Sequence, residues 1–218
     1  MTDKPVSPPA LETSRPRDLR TTSGHLIAFE GLDQSGKQTQ AERLLAAFRS
    51  AGHGAEFLTF PEYTTAIGGE IGRALRGERD YQPDTLQLLY IANRFEFRPR
   101  IASWLESGTM VICDRYLASS IAYGEAQDVD AGWLSEIQRF LPQPSLTIFL
   151  DMSPAVSLTR KKADRDKFER DMPLLARVRE SYQRQAKGPG WIRLEGERDK
   201  DAVSADVISA VRLRLGLL

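Results

Sequence analysis

One segment constrains the fold of this chain more than any other: Ile27-Ala28-Phe29-Glu30-Gly31-Leu32-Asp33-Gln34-Ser35-Gly36-Lys37-Gln38-Thr39. Its first part is apolar, is set off by Ser23-Gly24, and reads as a buried strand. The spacing Gly31-x-x-x-x-Gly36-Lys37 follows directly. Beyond it, Ala41, Leu44, Leu45 and Phe48 recur at helical spacing toward Gly52. Strand, glycine turn and helix in that order make a phosphate cradle. Glycines let backbone N–H groups turn inward, and the helix start adds a positive dipole end. Gly31, Leu32, Asp33, Gln34, Ser35, Gly36, Lys37, Gln38 and Thr39 form the cradle, and Lys37 is placed to reach the outer phosphates of a nucleotide. A glycine turn in an ordinary α/β domain would explain the motif by itself; the flanking strand and helix favour the nucleotide. Gln38 stands where a Ser or Thr hydroxyl normally holds magnesium, and Thr39 comes one residue later.

Composition narrows the class. The 218 residues suit one domain with an ample core. Lys+Arg and Asp+Glu both number 30, so no global charge points to nucleic acid or an anionic membrane. The single cysteine, Cys113, excludes an internal disulfide and a cysteine-rich metal site. No apolar run approaches a membrane span. Residues 1–23 hold Pro5, Pro8, Pro9 and Pro16 among mixed charges, with no apolar core, and read as a disordered tail rather than a signal peptide. The domain proper is expected over 24–218.

Five short apolar runs alternate with helical patterns. The strands are expected at His25–Glu30, Ala55–Phe60, Thr109–Cys113, Ser145–Leu150 and Trp191–Leu194. Helices are expected near 37–50, 67–76, 83–106, 117–126, 131–139, 154–163, 168–187 and 199–214, with Pro99 kinking or dividing the longest. Such alternation predicts a parallel α/β sheet covered on both faces. Ligands of these sheets bind beyond the carboxyl ends of the strands.

Chemistry-bearing residues do follow the strands. Phe60-Pro61-Glu62-Tyr63 comes after the second, Asp114-Arg115-Tyr116 after the third, and Asp151 after the fourth. Asp114 suits a carboxylate that orients magnesium or its water shell, and Arg115 a bidentate phosphate ligand. A polar turn with a structural ion pair is the alternative; proximity to a phosphate cradle favours function. Tyr90 and Arg94 lie four apart and share a helix face, an aromatic ring beside a guanidinium. By spacing alone, a core tyrosine next to a solvated arginine is the simpler account. The charge run from Arg160 to Glu169 is either a solvated helix face or a lid closing over phosphates, and composition does not choose between them.

Taken together, Phe29-Glu30-Gly31-Leu32-Asp33-Gln34-Ser35-Gly36-Lys37, Phe60-Pro61, Leu89-Tyr90-Ile91-Ala92-Asn93-Arg94, Asp114-Arg115-Tyr116 and Asp166-Lys167-Phe168-Glu169 resemble bacterial thymidylate kinase. The likeness runs from about residue 25 to the C-terminus in the family's order. It implies a three-layer P-loop kinase fold, a five-stranded parallel sheet flanked by helices, and a short lid at about 160–169. It implies ATP-Mg²⁺ as donor, dTMP as acceptor, a homodimer and a cytoplasmic location, with no nucleic-acid or membrane partner. By resemblance, Asp33 approaches the acceptor sugar and phosphate, Tyr90 stacks on thymine, Arg94 reads the base edge, Arg115 holds the acceptor phosphate, and Tyr123 lies near the sugar. Phe60, Tyr63 and Ser120 complete the implied dTMP site. The resemblance reverses the reading of Tyr90 as structural.

Three departures from the family pattern matter. Gln38 supplies no hydroxyl to magnesium, which leaves phosphate oxygens, water and Asp114. Gln34 stands where one branch carries a catalytic arginine, so the cation is sought in the lid among Arg160, Lys162 and Arg165. Tyr63 replaces an arginine found in some relatives. The acceptor phosphate, with its second pKa of about 6, needs no general base, so His25 and His53 are expected to be structural or at the surface. Two alternatives stay open: a deoxynucleoside kinase or other nucleoside monophosphate kinase, with Glu62 as base if the acceptor is a hydroxyl, and a nucleotide-binding regulator without catalysis.

Overall fold

A computed structural model describes residues 24–160, 168 and 171–218. The five expected strands are all present: β1 (Leu26–Glu30), β2 (Ala55–Thr59), β3 (Met110–Asp114), β4 (Leu146–Asp151) and β5 (Trp191–Glu195). They form one parallel sheet in the order β2-β3-β1-β4-β5. β1 and β4 are buried at every position, as central strands covered on both faces must be. In register, Phe29 pairs with Asp114 on one side and Ile148 on the other, so the ends of β1, β3 and β4 lie together at one edge.

Eight helices cover the sheet among the described residues: α1 (Lys37–Ser50), α2 (Ala66–Leu75), α3 (Pro83–Glu106), α4 (Leu117–Glu125), α5 (Ala131–Ile137), α6 (Pro154–Arg160), α7 (Met172–Gln185) and α8 (Lys200–Leu215). Side chains of each strand alternate between two cores. Ile27, Phe29, Ile112 and Ile148 pack with Leu44 and Phe48 of α1 and Val203 and Val207 of α8. Leu26, Ala28, Val111 and Cys113 face Ile101 of α3 and Leu117 of α4 on the opposite side. The result is three layers, helix on sheet on helix.

Local chemistry sets the helix bounds. The Thr65 hydroxyl accepts from the Gly68 N–H and starts α2 at Ala66, one residue earlier than the apolar pattern suggests. Asp171 caps α7 by accepting from the Leu174 N–H, and Pro173 sits in its first turn, so this helix opens at Met172 rather than 168. Pro99 does not divide α3, which runs unbroken for 24 residues. The proline lies on the exposed side, where water can satisfy the carbonyl four residues back. No helix among the described residues is long and apolar enough to cross a membrane. The expected tail at 1–23 and most of the expected lid lie outside the described residues.

Candidate active site

β1 ends at Glu30 and the chain turns at once. Gly31 sits at φ 143°, and a Cβ there would come within 2.5 Å of the Leu150 carbonyl oxygen, so the close approach to β4 requires glycine. Gly36, at φ 91°, is the N-cap of α1 and makes no side-chain cap, which leaves the first N–H groups of the helix open toward an anion. Lys37 is buried, and its Nζ donates to the Leu32 carbonyl at 2.8 Å, curling over its own loop. Burial, followed by the nearby Arg115 charge, pulls the Lys37 pKa down against the opposing pull of Asp33, Asp114 and Glu30. Phosphate oxygens would favour the charged amine again. Neighbouring elements brace the loop. The Ser157 hydroxyl donates to the Asp33 carbonyl at 2.7 Å, and Arg160 donates to the Gln34 and Gly196 carbonyls, both at 3.1 Å.

Beside this loop lies a cavity lined by Asp33, Phe60, Pro61, Tyr63, Leu75, Gln87, Tyr90, Arg94, Arg115, Ser119, Ser120, Tyr123 and Phe168. Three strand ends and two helices bring these residues together. Asp33 comes from the loop after β1, Phe60 to Tyr63 from the loop after β2, Arg115 from the turn after β3, and the rest chiefly from α3 and α4.

The end nearest the phosphate loop is tightly connected. Arg115 Nη2 donates to Asp33 Oδ1 at 2.7 Å, and Nη1 donates to the Gly31 carbonyl at 3.1 Å and to the Ser119 hydroxyl at 3.3 Å. Its guanidinium also lies 5.3 Å from the centre of the Tyr123 ring. Burial works against the Arg115 cation, but Asp33, Tyr123 and Tyr182 together raise its pKa above the ordinary value. Arg115 sits at φ 61°, a left-handed backbone that a non-glycine residue keeps only where its surroundings hold it. Behind it is a buried carboxylate. Glu30 accepts from the Tyr116 N–H at 2.8 Å, the Ser119 hydroxyl at 2.6 Å and the Tyr182 hydroxyl at 3.0 Å.

The far end is built on α3, whose residues 87, 90 and 94 share a face. Arg94 is 2% exposed, donates from Nη1 to the Ser120 hydroxyl at 2.7 Å, and lies 5.9 Å from the Phe60 ring centre. Its Nε is buried without a hydrogen-bond partner. Burial lowers its pKa, yet a guanidinium remains charged at neutral pH. The residue before it, Asn93, braces the site from behind: its side chain accepts from the Glu62 N–H at 2.8 Å and donates to Thr65 Oγ1 at 3.0 Å. This pair fixes the loop after β2 to α3.

All eight residues that the resemblance implies for the acceptor thus line one cavity. Tyr63 does so at the rim, half exposed. Asp114 lies at the end of β3 with one buried carboxylate oxygen, Oδ1, lacking a hydrogen-bond partner. Gln38 and Thr39 are exposed, and the Gln38 amide donates to Glu42 at 2.9 Å. Arg160 is occupied by backbone carbonyls and ties the phosphate loop to the connection between β5 and α8. Lys162 and Arg165 lie outside the described residues. Asp151, also at a strand end, is engaged elsewhere: it accepts from Arg179 at 2.6 Å, Arg193 at 2.8 Å and Gln183 at 3.1 Å. Glu62 turns into its own loop, accepting from the Thr64 N–H and hydroxyl at 3.0 and 2.8 Å, and does not line the cavity. Sequence reasoning missed Leu75, Gln87 and Ser119 as lining residues, and Glu30 and Tyr182 as the support behind Arg115. Glu30 carried a signal, since a carboxylate closing an otherwise apolar buried strand must be hydrogen-bonded. Tyr182 carried none, being 152 residues from its partner.

The family model for thymidylate kinase matches residues 29–207. The chain belongs to the thymidylate kinase family. Among its relatives, the thymidylate kinase of Schizosaccharomyces pombe is 33% identical over 193 residues, covering 86% of this chain and 91% of that protein. The human thymidylate kinase is 35% identical over 147 residues, 67% of this chain and 69% of that one. Among solved structures, thymidylate kinase from Candida albicans superposes with a TM-score of 0.75 at 27% identity, covering 88% of this chain and 92% of that one. The family match encloses both the glycine loop after β1 and the residues that line the cavity, from Asp33 to Phe168.

Proposed function

We propose that this chain transfers the γ-phosphoryl group of ATP to dTMP, giving dTDP and ADP. The observation that carries the reading is the cavity joined to the phosphate loop through Asp33. The Asp33 backbone belongs to the loop, and its carboxylate pairs with Arg115 in the cavity. Donor and acceptor phosphates are thereby held side by side. An acceptor phosphate oxygen attacks the γ-phosphorus in line, the bond to the β–γ bridging oxygen breaks, and ADP leaves with that electron pair. The acceptor is largely a dianion at neutral pH, so no residue need take a proton. Catalysis is then positioning and charge neutralisation. Lys37 serves the donor phosphates and Arg115 the acceptor phosphate. Arg160, Lys162 and Arg165 are the lid cations of this reading, and Arg160 reaches the phosphate loop through the Gln34 carbonyl.

Tyr90 stacks on the base, Arg94 and Ser120 meet its polar edge, and Tyr123 and Phe168 close around the sugar. The two rings of the last pair lie edge to face at 6.0 Å. The engagement of Glu62 with Thr64 favours a phosphate acceptor over a nucleoside hydroxyl, which would need that carboxylate as base. Mg²⁺ accompanies ATP in this reading. The partnerless Oδ1 of Asp114, whose charge Lys37 senses, fits a ligand to the ion or to its water, with phosphate oxygens completing the shell. No group of three His, Cys, Asp or Glu gathers as a metal site among the described residues, so the nucleotide itself would supply most ligands. When bound, the ion neutralises charge on the β- and γ-oxygens. The resemblance also supports a homodimer, which light scattering checks, and a cytoplasmic location.

An ADP-release assay across an acceptor panel tests the reading. The expected order is dTMP first, with dUMP weaker by roughly 10–200-fold for one lost methyl. Faster turnover of AMP, CMP, GMP or thymidine than of dTMP would overturn it. Lys37→Ala should abolish turnover and leave the circular dichroism spectrum unchanged.

A further inference from the structure

Gln87 is 1% exposed, yet neither Oε1 nor Nε2 of its amide has a hydrogen-bond partner among the described residues. Burying both ends of an amide unpaired is costly, and native interiors rarely do so without reason. The side chain is not loosely placed. A Cβ on Gly124 of α4 would come within 3.2 Å of Gln87 Cγ and 2.4 Å of Leu134 Cδ1, so the stem is packed against a glycine that makes room for it. Gln87 lines the same cavity as Tyr90 and Arg94 and shares their face of α3.

We infer that Gln87 reads the acceptor's base directly, as a specificity-determining residue; the inference rests on the acceptor being dTMP. The chemistry is matched. A pyrimidine imide edge offers one N–H donor flanked by two carbonyl acceptors. A carboxamide offers an acceptor and a donor side by side. Oε1 accepts from the ring N–H, and Nε2 donates to the adjacent carbonyl. Arg94, a donor only, is left for the remaining carbonyl. A site of this kind rejects bases that lack the pattern, because its own buried polar atoms would then stay unpaired.

The test compares Gln87→Leu and Gln87→Met with wild type in the full-length chain, the second variant keeping the unbranched stem. Each should raise the KM for dTMP about tenfold or more, as loss of buried hydrogen bonds implies. The KM for ATP should not move. Inhibition by 2-deoxyribose 5-phosphate, which keeps the phosphate and sugar and lacks the base, should also be unchanged. Without ligand, both variants should melt at or above the wild-type temperature, since an apolar side chain replaces an unpaired amide; a glutamine that merely supported the fold would give the reverse. An unchanged dTMP KM, or equal loss of dTMP and 2-deoxyribose 5-phosphate binding, would overturn the role of Gln87 alone. A wild-type preference for another monophosphate would overturn the parent reading and this one with it.

Discussion

Arg115 and Arg94 are both buried arginines of one cavity, and the protein holds them in opposite ways. Arg115 has a carboxylate partner, a backbone carbonyl, hydroxyls and an aromatic face around it, with Glu30 buttressing the hydroxyls from behind. Arg94 has a single hydroxyl and the Phe60 ring, an unpaired Nε, and about two turns back on α3 an unpaired amide lining the same cavity. The phosphate end is therefore preorganised by protein–protein bonds, which spares reorganisation when charge develops during transfer. The proposed base end leaves Arg94 Nε and the Gln87 amide unpaired, an arrangement that would let a site discriminate among ligands. In the proposed function, one cavity thus separates the task of catalysis from the task of choice.

Substitutions can break that contrast. Arg115→Ala carries the largest expected effect, a fall in kcat/KM on the order of 10³-fold in steady-state assays, in the range of losing one preorganised charge-stabilising donor. A loss no greater than that of Arg94→Ala would erase the distinction between the two ends. Arg94→Ala should raise the KM for dTMP by about 10–100-fold while sparing the KM for ATP, as expected for hydrogen bonds from a charged group. Equal damage to both nucleotides would remove Arg94 from base reading. Glu30→Gln tests the buttress. Thermal melts without ligand should show a loss of about 2 kcal/mol, or roughly 4–8 °C, with the dTMP KM changed less than by Arg94→Ala. Tyr182→Phe deletes one hydroxyl from the same network and should cost only about 1 kcal/mol, or roughly 2–4 °C.

Local sequence carried most of the fold. Buried parallel strands must be short and apolar, and they alternate with helices, so β1 to β5 stood out from residues adjacent in the chain. Helix ends were less visible because they depend on which hydroxyl or carboxylate turns back to cap, as at Thr65 and Asp171. The unbroken path of α3 through Pro99 depended on which side faces water, a property of packing rather than of the proline. For the cavity, Tyr90, Arg94 and Arg115 were placed together only through likeness to a family; spacing by itself favoured a structural Tyr90. Gln87 was passed over for the same reason, because a glutamine on a helix usually faces solvent. Its meaning comes from Gly124 and Leu134, far off in sequence. The Arg160 guanidinium shows the converse: charge made it conspicuous, while its carbonyl partners at Gly196 and Glu197 were invisible until the chain folded.

Glu30 has a mechanical consequence. It is bonded covalently to Gly31, where the proposed donor loop begins, and its carboxylate grips Tyr116 and Ser119, which follow Arg115, the proposed acceptor-phosphate ligand. A thermal excursion of β1 therefore carries donor and acceptor supports in the same direction. The gap across which the phosphoryl group must pass responds to the difference between those motions, and the shared part cancels, as common noise does between the two inputs of a differential amplifier.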